Sequence, residues 1–243
     1  MPKDLNGKTI IVTGAGKGIG RATSVMLSGL GANVVAISRT ASDLASLKAE
    51  IGCQIHAFDI ANSAELRDVM RSITTADGLV NCAGINILEP FLEVTEEAFD
   101  EIYTVNTKAA MIAAQEFSKT LIAASRKGAI VNVSSMSSFV GFADHTSYCA
   151  SKGAMDAMSR VMASELGQYG IRVNCINPIV TMTELAAEAW SDPEKSGPIL
   201  ARVPVGHFAE VDDVANLIVF LLSENSRMLN ATAIPVDGGF LAR

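Results

Sequence analysis

The chain is short of several things at once, and each shortage removes a class of function. Its four cysteines, Cys53, Cys82, Cys149 and Cys175, form no CxxC pair and no disulfide-like spacing. They read as small, reduced core residues of a cytoplasmic protein, not as a disulfide framework. The three histidines, His56, His145 and His207, lack metal-ligand spacing, so no metal is expected. No run approaches the roughly 18 uninterrupted apolar residues of a membrane-spanning helix, and the opening Met1–Gly7 is polar, without the apolar segment of a signal peptide. Positive charge is scarce as well: 19 basic against 26 acidic residues leave −7. That balance argues against a nucleic-acid or anionic-membrane partner, since both need a basic face. Internal repeats, linkers and low-complexity segments are absent too.

What remains is apolar and regularly patterned. Hydrophobic residues make up 49% and charged residues 19% of 243 positions, which suits one domain over 1–243 with a large core. Short β-branched runs read as strands: Lys8–Thr13, Asn33–Ser38, Gln54–Asp59, Gly78–Asn81, Ala129–Ser134, Arg172–Asn177 and Ala233–Val236. Helical patterns lie between them, at Ile19–Leu30, Ala41–Ile51, Ala64–Ile73, Glu96–Ser125, Tyr148–Tyr169 and Val211–Leu222. Strands that are apolar nearly throughout are covered on both faces, and strict alternation with helices means parallel strands. The expected fold is α/β: a single doubly wound parallel sheet of the Rossmann type. The irregular stretch 179–204 follows a strand C-terminus, where ligands bind in such sheets, and is expected to be a substrate lid; a pair of surface helices is the alternative.

Between the first strand and first helix stands Thr13-Gly14-Ala15-Gly16-Lys17-Gly18-Ile19-Gly20. Gly14 permits a tight turn, Gly16 and Gly18 leave room for a pyrophosphate, and Gly20 allows close helix–strand packing. The helix N-terminus offers N–H groups and partial positive charge to phosphates. The second strand ends in Ser38-Arg39-Thr40, where a cofactor without a 2′-phosphate is usually met by an acid. Arg39, aided by Lys17, pairs instead with a 2′-phosphate, so NADP(H) is the expected cofactor. Asp59, at the end of the third strand, either meets the adenine or caps the next helix.

Tyr148 and Lys152 are four apart and share one helix face. Free tyrosine is a poor acid/base at neutral pH, and a nearby ammonium stabilises its phenolate. Ser135 ends the fifth strand, on the sheet edge where a hydroxyl could bond the reacting oxygen. His145, three residues before Tyr148, faces the substrate or stabilises its loop.

These motifs resemble the short-chain dehydrogenase/reductase family over nearly the whole chain. The likeness rests on Thr13–Gly20, Asn81-Cys82-Ala83-Gly84, Asn106, Ser135, Tyr148 with Lys152, and Asn177-Pro178. Within the family the chain is most similar to the L-xylulose (dicarbonyl/carbonyl) reductase branch, through strings such as AISRT, PFLEVTEEAFD, AEAWSDPEK and IPVDGGF.

The resemblance implies that Tyr148 is the proton donor, that Lys152 assists it and bonds the nicotinamide ribose, and that Ser135 polarises the carbonyl. Asn106 would hold a water linking Lys152 to solvent. Asn81, Ala83, Gly84 and Pro178 would line the cofactor cleft, and Thr183 would bond the carboxamide or pyrophosphate. A small pocket with Ser135, His145, Ile179 and Trp190 follows.

Two departures stand out: Cys82 replaces an asparagine, removing one stabilising amide, and Ile179 replaces a glycine, which should narrow the cleft. The implied activity is reversible NADPH-dependent reduction of small carbonyls, either α-dicarbonyls or L-xylulose-like sugar ketones, by a homotetramer. Met155, Met158 and Met162 with Ala109, Ala110 and Ala113 are the expected surplus apolar surface for that assembly. The alternatives are a 3-oxoacyl-carrier-protein reductase, a polyol dehydrogenase, or a non-catalytic dinucleotide sensor, the last opposed by the full set Asn106, Ser135, Tyr148 and Lys152.

Overall fold

In the computed structural model, which describes residues 5–183, 186–187, 190 and 192–242, the seven β-branched runs become seven of nine strands. The nine are β1 (Thr9–Thr13), β2 (Asn33–Ser38), β3 (Gln54–Ala57), β4 (Gly78–Asn81), β5 (Gly128–Val133), β6 (Ile171–Pro178), β7 (Thr181–Met182), β8 (Ala209–Glu210) and β9 (Ala233–Val236). Seven pair in parallel in the order β3-β2-β1-β4-β5-β6-β9, while β7 and β8 form a separate two-stranded patch that the sequence reading did not anticipate.

Alternation along each strand feeds two cores. Ile10, Val12, Val34 and Val131 face the layer that contains Leu27, Leu44 and Ile218. Ile11, Val35, Leu79 and Ile130 face Leu66, Met70, Ala113 and Phe117 on the other side. Both faces are covered, so the strands need no polar face.

The helices are α1 (Gly18–Gly29), α2 (Ala41–Ile51), α3 (Ser63–Ser72), α4 (Glu96–Tyr103), α5 (Ala109–Ala123) and α6 (Thr146–Leu166), followed by Pro193–Leu200 and Val211–Leu222. The single helix expected over Glu96–Ser125 is interrupted by a π-helical turn at Thr104–Lys108. The wider turn carries Asn106, whose buried amide is bonded to a neighbouring loop and to α6; such turns recur at functional sites. β3 ends at Ala57, short of Asp59, because Asp59 turns the chain: its Oδ1 accepts from Ala61 N at 2.9 Å.

The stretch expected to be a lid holds β7 and the helix Pro193–Leu200, with Pro193 at its first turn behind the N-cap Asp192. Glu184, Leu185, Glu188, Ala189 and Ser191 of that stretch lie outside the described residues.

Of the six apolar residues expected as subunit contacts, Met158 and Met162 are half-buried and the other four need correction. Ala109, Ala110, Ala113 and Met155 are buried within this chain's own core. The exposed apolar side chains are others, among them Phe91, Leu92, Tyr103, Val161 and Met228.

One buried charge on α5 yields a stability prediction. Glu116 is 3% exposed and receives Arg71 Nε at 2.9 Å, Lys119 Nζ at 3.1 Å and Arg67 Nη1 at 2.8 Å. The Arg71 hydrogen bond, with Lys119 and Arg67 behind it, holds the carboxyl down to about 2 against the opposing effect of burial. A depressed carboxyl stabilises the fold above its ordinary range, near 4.5, and loses that contribution as pH falls towards about 2. Glu116→Gln should therefore cost about 1–3 kcal/mol at pH 7. The difference from the unmodified protein should shrink towards pH 3. Urea midpoints at the two pH values check this; an equal loss at both would refute the charge-based account.

Candidate active site

At β1 and β4 the strand order reverses: β1 is followed in sequence by its neighbour β2 on one side, and β4 by β5 on the other. The loops leaving their C-termini diverge, which opens a crevice for ligands. A cleft of about 850 Å³ lies there. It is lined by Gly14, Lys17, Ile19, Ser38, Arg39, Thr40 and Asp59 on the β1–β3 side, by Ser135, His145, Tyr148, Lys152, Pro178, Ile179, Thr183 and Trp190 from β5 onward, and by Ala83 and Gly84 of the β4 loop between them.

Five expected residues are outside that lining. Asn81 is 2% exposed, and its Nδ2 donates to Asn132 Oδ1 at 2.8 Å beneath the sheet. Gly16 is buried under Ser38 and Asp43, with room for a Cβ only 3.0 Å from Ser38 Oγ. Gly20 packs on the backbone of Gly14, and Gly18 against Thr183, where a Cβ would come within 2.9 Å of Cγ2. Asn106 is 0% exposed. The four buried ones, Gly16, Gly20, Asn81 and Asn106, therefore build the site from behind and Gly18 from beside it, because the same close packing that admits a ligand first has to bring strand, loop and helix together.

Gly14 has φ +67°, and a Cβ there would meet Ala83 N and Cα at 2.8 Å. The β1 and β4 loops thus approach backbone to backbone. Thr13, which reads in sequence as an ordinary strand residue, joins them: its Oγ1 accepts from Cys82 N at 3.1 Å and Ala83 N at 3.2 Å. This is why the turn survives cysteine in place of asparagine. Burial pushes the Cys82 thiol up to about 12, opposed by the Lys152 ammonium; the residue is half-buried and lines the cleft, so the expectation of a core filler does not hold for it. No side chain caps the N-terminus of α1, which leaves its first N–H groups for a ligand. Arg39 is exposed and has no carboxylate partner among the described residues, whereas Lys17 Nζ lies 3.6 Å from Asp43 Oδ2.

At the other end, Lys152 is 4% exposed and donates to Val133 O at 2.8 Å. No carboxylate lies within ion-pair distance of it among the described residues. Its Nζ is 5.6 Å from the centroid of the Tyr148 ring. The site is therefore electropositive where a phenolate would form. Gly84 lies against this group, since a Cβ on it would fall 3.7 Å from Lys152 Nζ. Asn106 braces the back wall: its Oδ1 accepts from Ile85 N at 2.8 Å, and its Nδ2 donates to Ile85 O and Ser151 Oγ.

Ser135 caps a short 3₁₀ turn through its Oγ, which accepts from Ser137 N. Its carbonyl is reached by Asn177 Nδ2 at 3.2 Å, and the same amide donates to buried Asp156 Oδ2 at 2.9 Å. Sequence spacing offers no sign that Asp156 and Asn177 hold the Ser135 loop. His145 turns its Nδ1 to Ala143 O at 2.6 Å and packs edge-on to Tyr148, so it both steadies its loop and lines the cleft. Trp190 packs edge-on to Phe208, with centroids 5.9 Å apart. Ile179 is 6% exposed within a cluster with Met136, Val203 and Phe240, and forms part of the cleft wall from within that cluster.

Neither His56 nor His207 lines the cleft, and no cluster of metal-ligating side chains occurs among the described residues. Among those residues no helix is long and apolar enough to cross a membrane.

Known proteins resemble this chain over nearly its whole length. A family model described as enoyl-(acyl carrier protein) reductase matches residues 14–241. L-xylulose reductase from Mesocricetus auratus is 47% identical over 242 residues, covering 99% of each chain. D-erythrulose reductase from Gallus gallus is 46% identical over 244 residues, again covering 99% of each. Among solved structures, one described as a 2-deoxy-D-gluconate 3-dehydrogenase from Agrobacterium tumefaciens, with bound NADP, has a TM-score of 0.94 at 34% identity. That match covers 100% of this chain and 99% of the other.

Proposed function

The chain belongs to the short-chain dehydrogenase/reductase family, an oxidoreductase acting on CH–OH groups with a nicotinamide dinucleotide, and we propose that it is an NADP(H)-dependent reductase of small polar ketones such as L-xylulose, with short α-dicarbonyls as further substrates. The observation that carries this reading is the cleft itself: unpaired Arg39 at one end, and Tyr148 beside the buried, carboxylate-free Lys152 ammonium at the other.

The residues fit the cofactor. The open N-terminus of α1 suits a pyrophosphate, Arg39 suits a 2′-phosphate by bidentate pairing, and Lys152 and Thr183, which line the cleft, would hold the nicotinamide half. The bound cofactor supplies the hydride that reduces the carbonyl carbon. Tyr148 gives its phenolic proton to the carbonyl oxygen, and the Lys152 ammonium stabilises the phenolate left behind. Ser135 Oγ donates to the same oxygen and polarises it. In the reverse direction Tyr148 takes the proton back. Asn106 keeps the Ile85 and Ser151 walls in place, and with both amide hydrogens engaged it can meet a water only through a lone pair.

The substrate end combines polar Ser135, Tyr148 and His145 with apolar Met136, Ile179 and Trp190. A ligand with hydroxyls satisfies the donors and acceptors there, while leaving them unpaired is costly. The relatives' names, L-xylulose reductase and D-erythrulose reductase, support a sugar ketone. A homotetramer is the assembly proposed from the family resemblance, with the exposed Phe91, Leu92 and Tyr103 as apolar surface on or near α4.

A substrate panel tests the reading: L-xylulose, D-erythrulose, diacetyl, an acetoacetyl thioester and a steroid ketone, each with saturating NADPH at one pH. The sugar ketones or the diketone should exceed the thioester and the steroid at least tenfold in kcat/KM. A thioester or steroid that wins by tenfold overturns the substrate assignment while leaving the Tyr148/Lys152 chemistry intact.

A further inference from the structure

The corner of the cleft that holds Arg39 also holds a carboxylate. Asp43 lies in the first turn of α2, three residues past Thr40, and lines the cleft next to Lys17 and Arg39. Its Oδ2 is 3.6 Å from Lys17 Nζ. The two partners differ in freedom: the Asp43 side chain is 22% exposed and the Lys17 side chain 73%. Asp43 is held by its surroundings. Buried Gly16 sits so close that a Cβ there would come within 3.1 Å of Asp43 Cβ, and Arg21 Nη1 reaches the Asp43 carbonyl at 3.5 Å. The backbone and Cβ of Asp43 are therefore set in the corner, and Lys17 is the more exposed of the two partners.

We propose that Asp43 is a specificity-determining residue for the cofactor: it holds down affinity for a 2′-phosphate and so limits how far NADP(H) is favoured over NAD(H). The inference rests on the reading that the Arg39 corner receives that phosphate. A phosphate ester brings a charge of about −1.5 to −2. To use Lys17, it must draw the ammonium off Asp43, and it then sits near a carboxylate that can only accept hydrogen bonds. A ribose hydroxyl has the opposite relation to the same group, because it can donate to it. The corner thus carries two attractions and one repulsion for a phosphate, and no charge penalty for a hydroxyl. The exposed setting keeps the effect modest: removing the one negative charge should improve phosphate binding about fivefold at low ionic strength, and less at high salt.

Calorimetry on the whole enzyme tests this without turnover, using adenosine 2′,5′-bisphosphate and adenosine 5′-monophosphate as probes. Asp43→Asn should tighten the bisphosphate about fivefold in low salt and leave the monophosphate within about twofold. The gain should shrink as salt is raised. An unchanged or weakened bisphosphate affinity overturns the proposal, as does an equal gain for both probes. Should Asp43→Asn lower the thermal midpoint, Asp43→Ser is read by the same criteria. The underlying reading is checked separately on two other proteins. The unmodified enzyme should bind the bisphosphate more tightly than the monophosphate, and Arg39→Ala should remove that difference. If it does not, the 2′-phosphate assignment fails whatever the Asp43 variants do.

Discussion

Tyr148→Phe should lower turnover at least about a hundredfold, the usual contribution of a positioned general acid, while NADPH binding survives. The substitution keeps the ring, and with it the edge-on contact to His145 and the position 5.6 Å from Lys152 Nζ. It removes only the hydroxyl, which makes no hydrogen bond to any described residue. No protein group is left unsatisfied, so the thermal midpoint should hold. What disappears is the proton for the carbonyl oxygen. Without it the developing alkoxide meets Ser135 Oγ and solvent alone, and the ammonium of Lys152 has no phenolate to stabilise. Steady-state rates with a sugar ketone, set beside the quenching of protein fluorescence by NADPH, separate the two effects. A variant that retains turnover would remove Tyr148 from the chemistry.

Arg39→Asp should reverse or flatten the cofactor preference. The unmodified enzyme is expected to favour NADPH, because an exposed guanidinium without a carboxylate partner among the described residues stands where the second strand ends. Hydrogen bonds to charged groups contribute about 1.5–3 kcal/mol each. Loss of the pair, followed by repulsion from the new carboxylate beside Asp43, should lower kcat/KM with NADPH about a hundredfold or more. Efficiency with NADH should change less than about threefold, since its ribose hydroxyls can donate to the new acid. Kinetics with both cofactors at fixed ionic strength check the outcome. Equal efficiency of NADPH and NADH in the unmodified enzyme would refute the assignment before any substitution is made.

These two predictions draw on residues that were readable in sequence for a simple reason. Tyr148 and Lys152 are four apart on one helix, and Arg39 follows a strand whose boundaries, Asn33–Ser38, come from its β-branched run. Local spacing and periodicity carry such features, because helix and strand geometry convert them directly into shared faces and ends. The doubly wound sheet was legible on the same grounds: apolar strands alternating with helices have few ways to be buried.

Long-range pairing was not legible. Thr13 serves the β4 loop from the end of β1, and Asn177 reaches from β6 to Ser135 and Asp156. Asn81 and Asn106 carry the expected names but turn inward: Asn81 donates through Nδ2 to Asn132 while its Oδ1 finds no partner, and Asn106 is paired at both ends with Ile85 and Ser151. Ala109, Ala110 and Ala113 resembled surplus surface until α5 was seen packed under the sheet.

By itself the sequence determined the seven strands of the main sheet, the glycine turn and the catalytic spacing, all set by bonds and sterics within a few residues. Only the tertiary structure decided which polar side chains face the cleft and which brace it from behind. It also decided that Asp43 shares the corner with Lys17, since both depend on groups distant in the chain meeting at one strand edge.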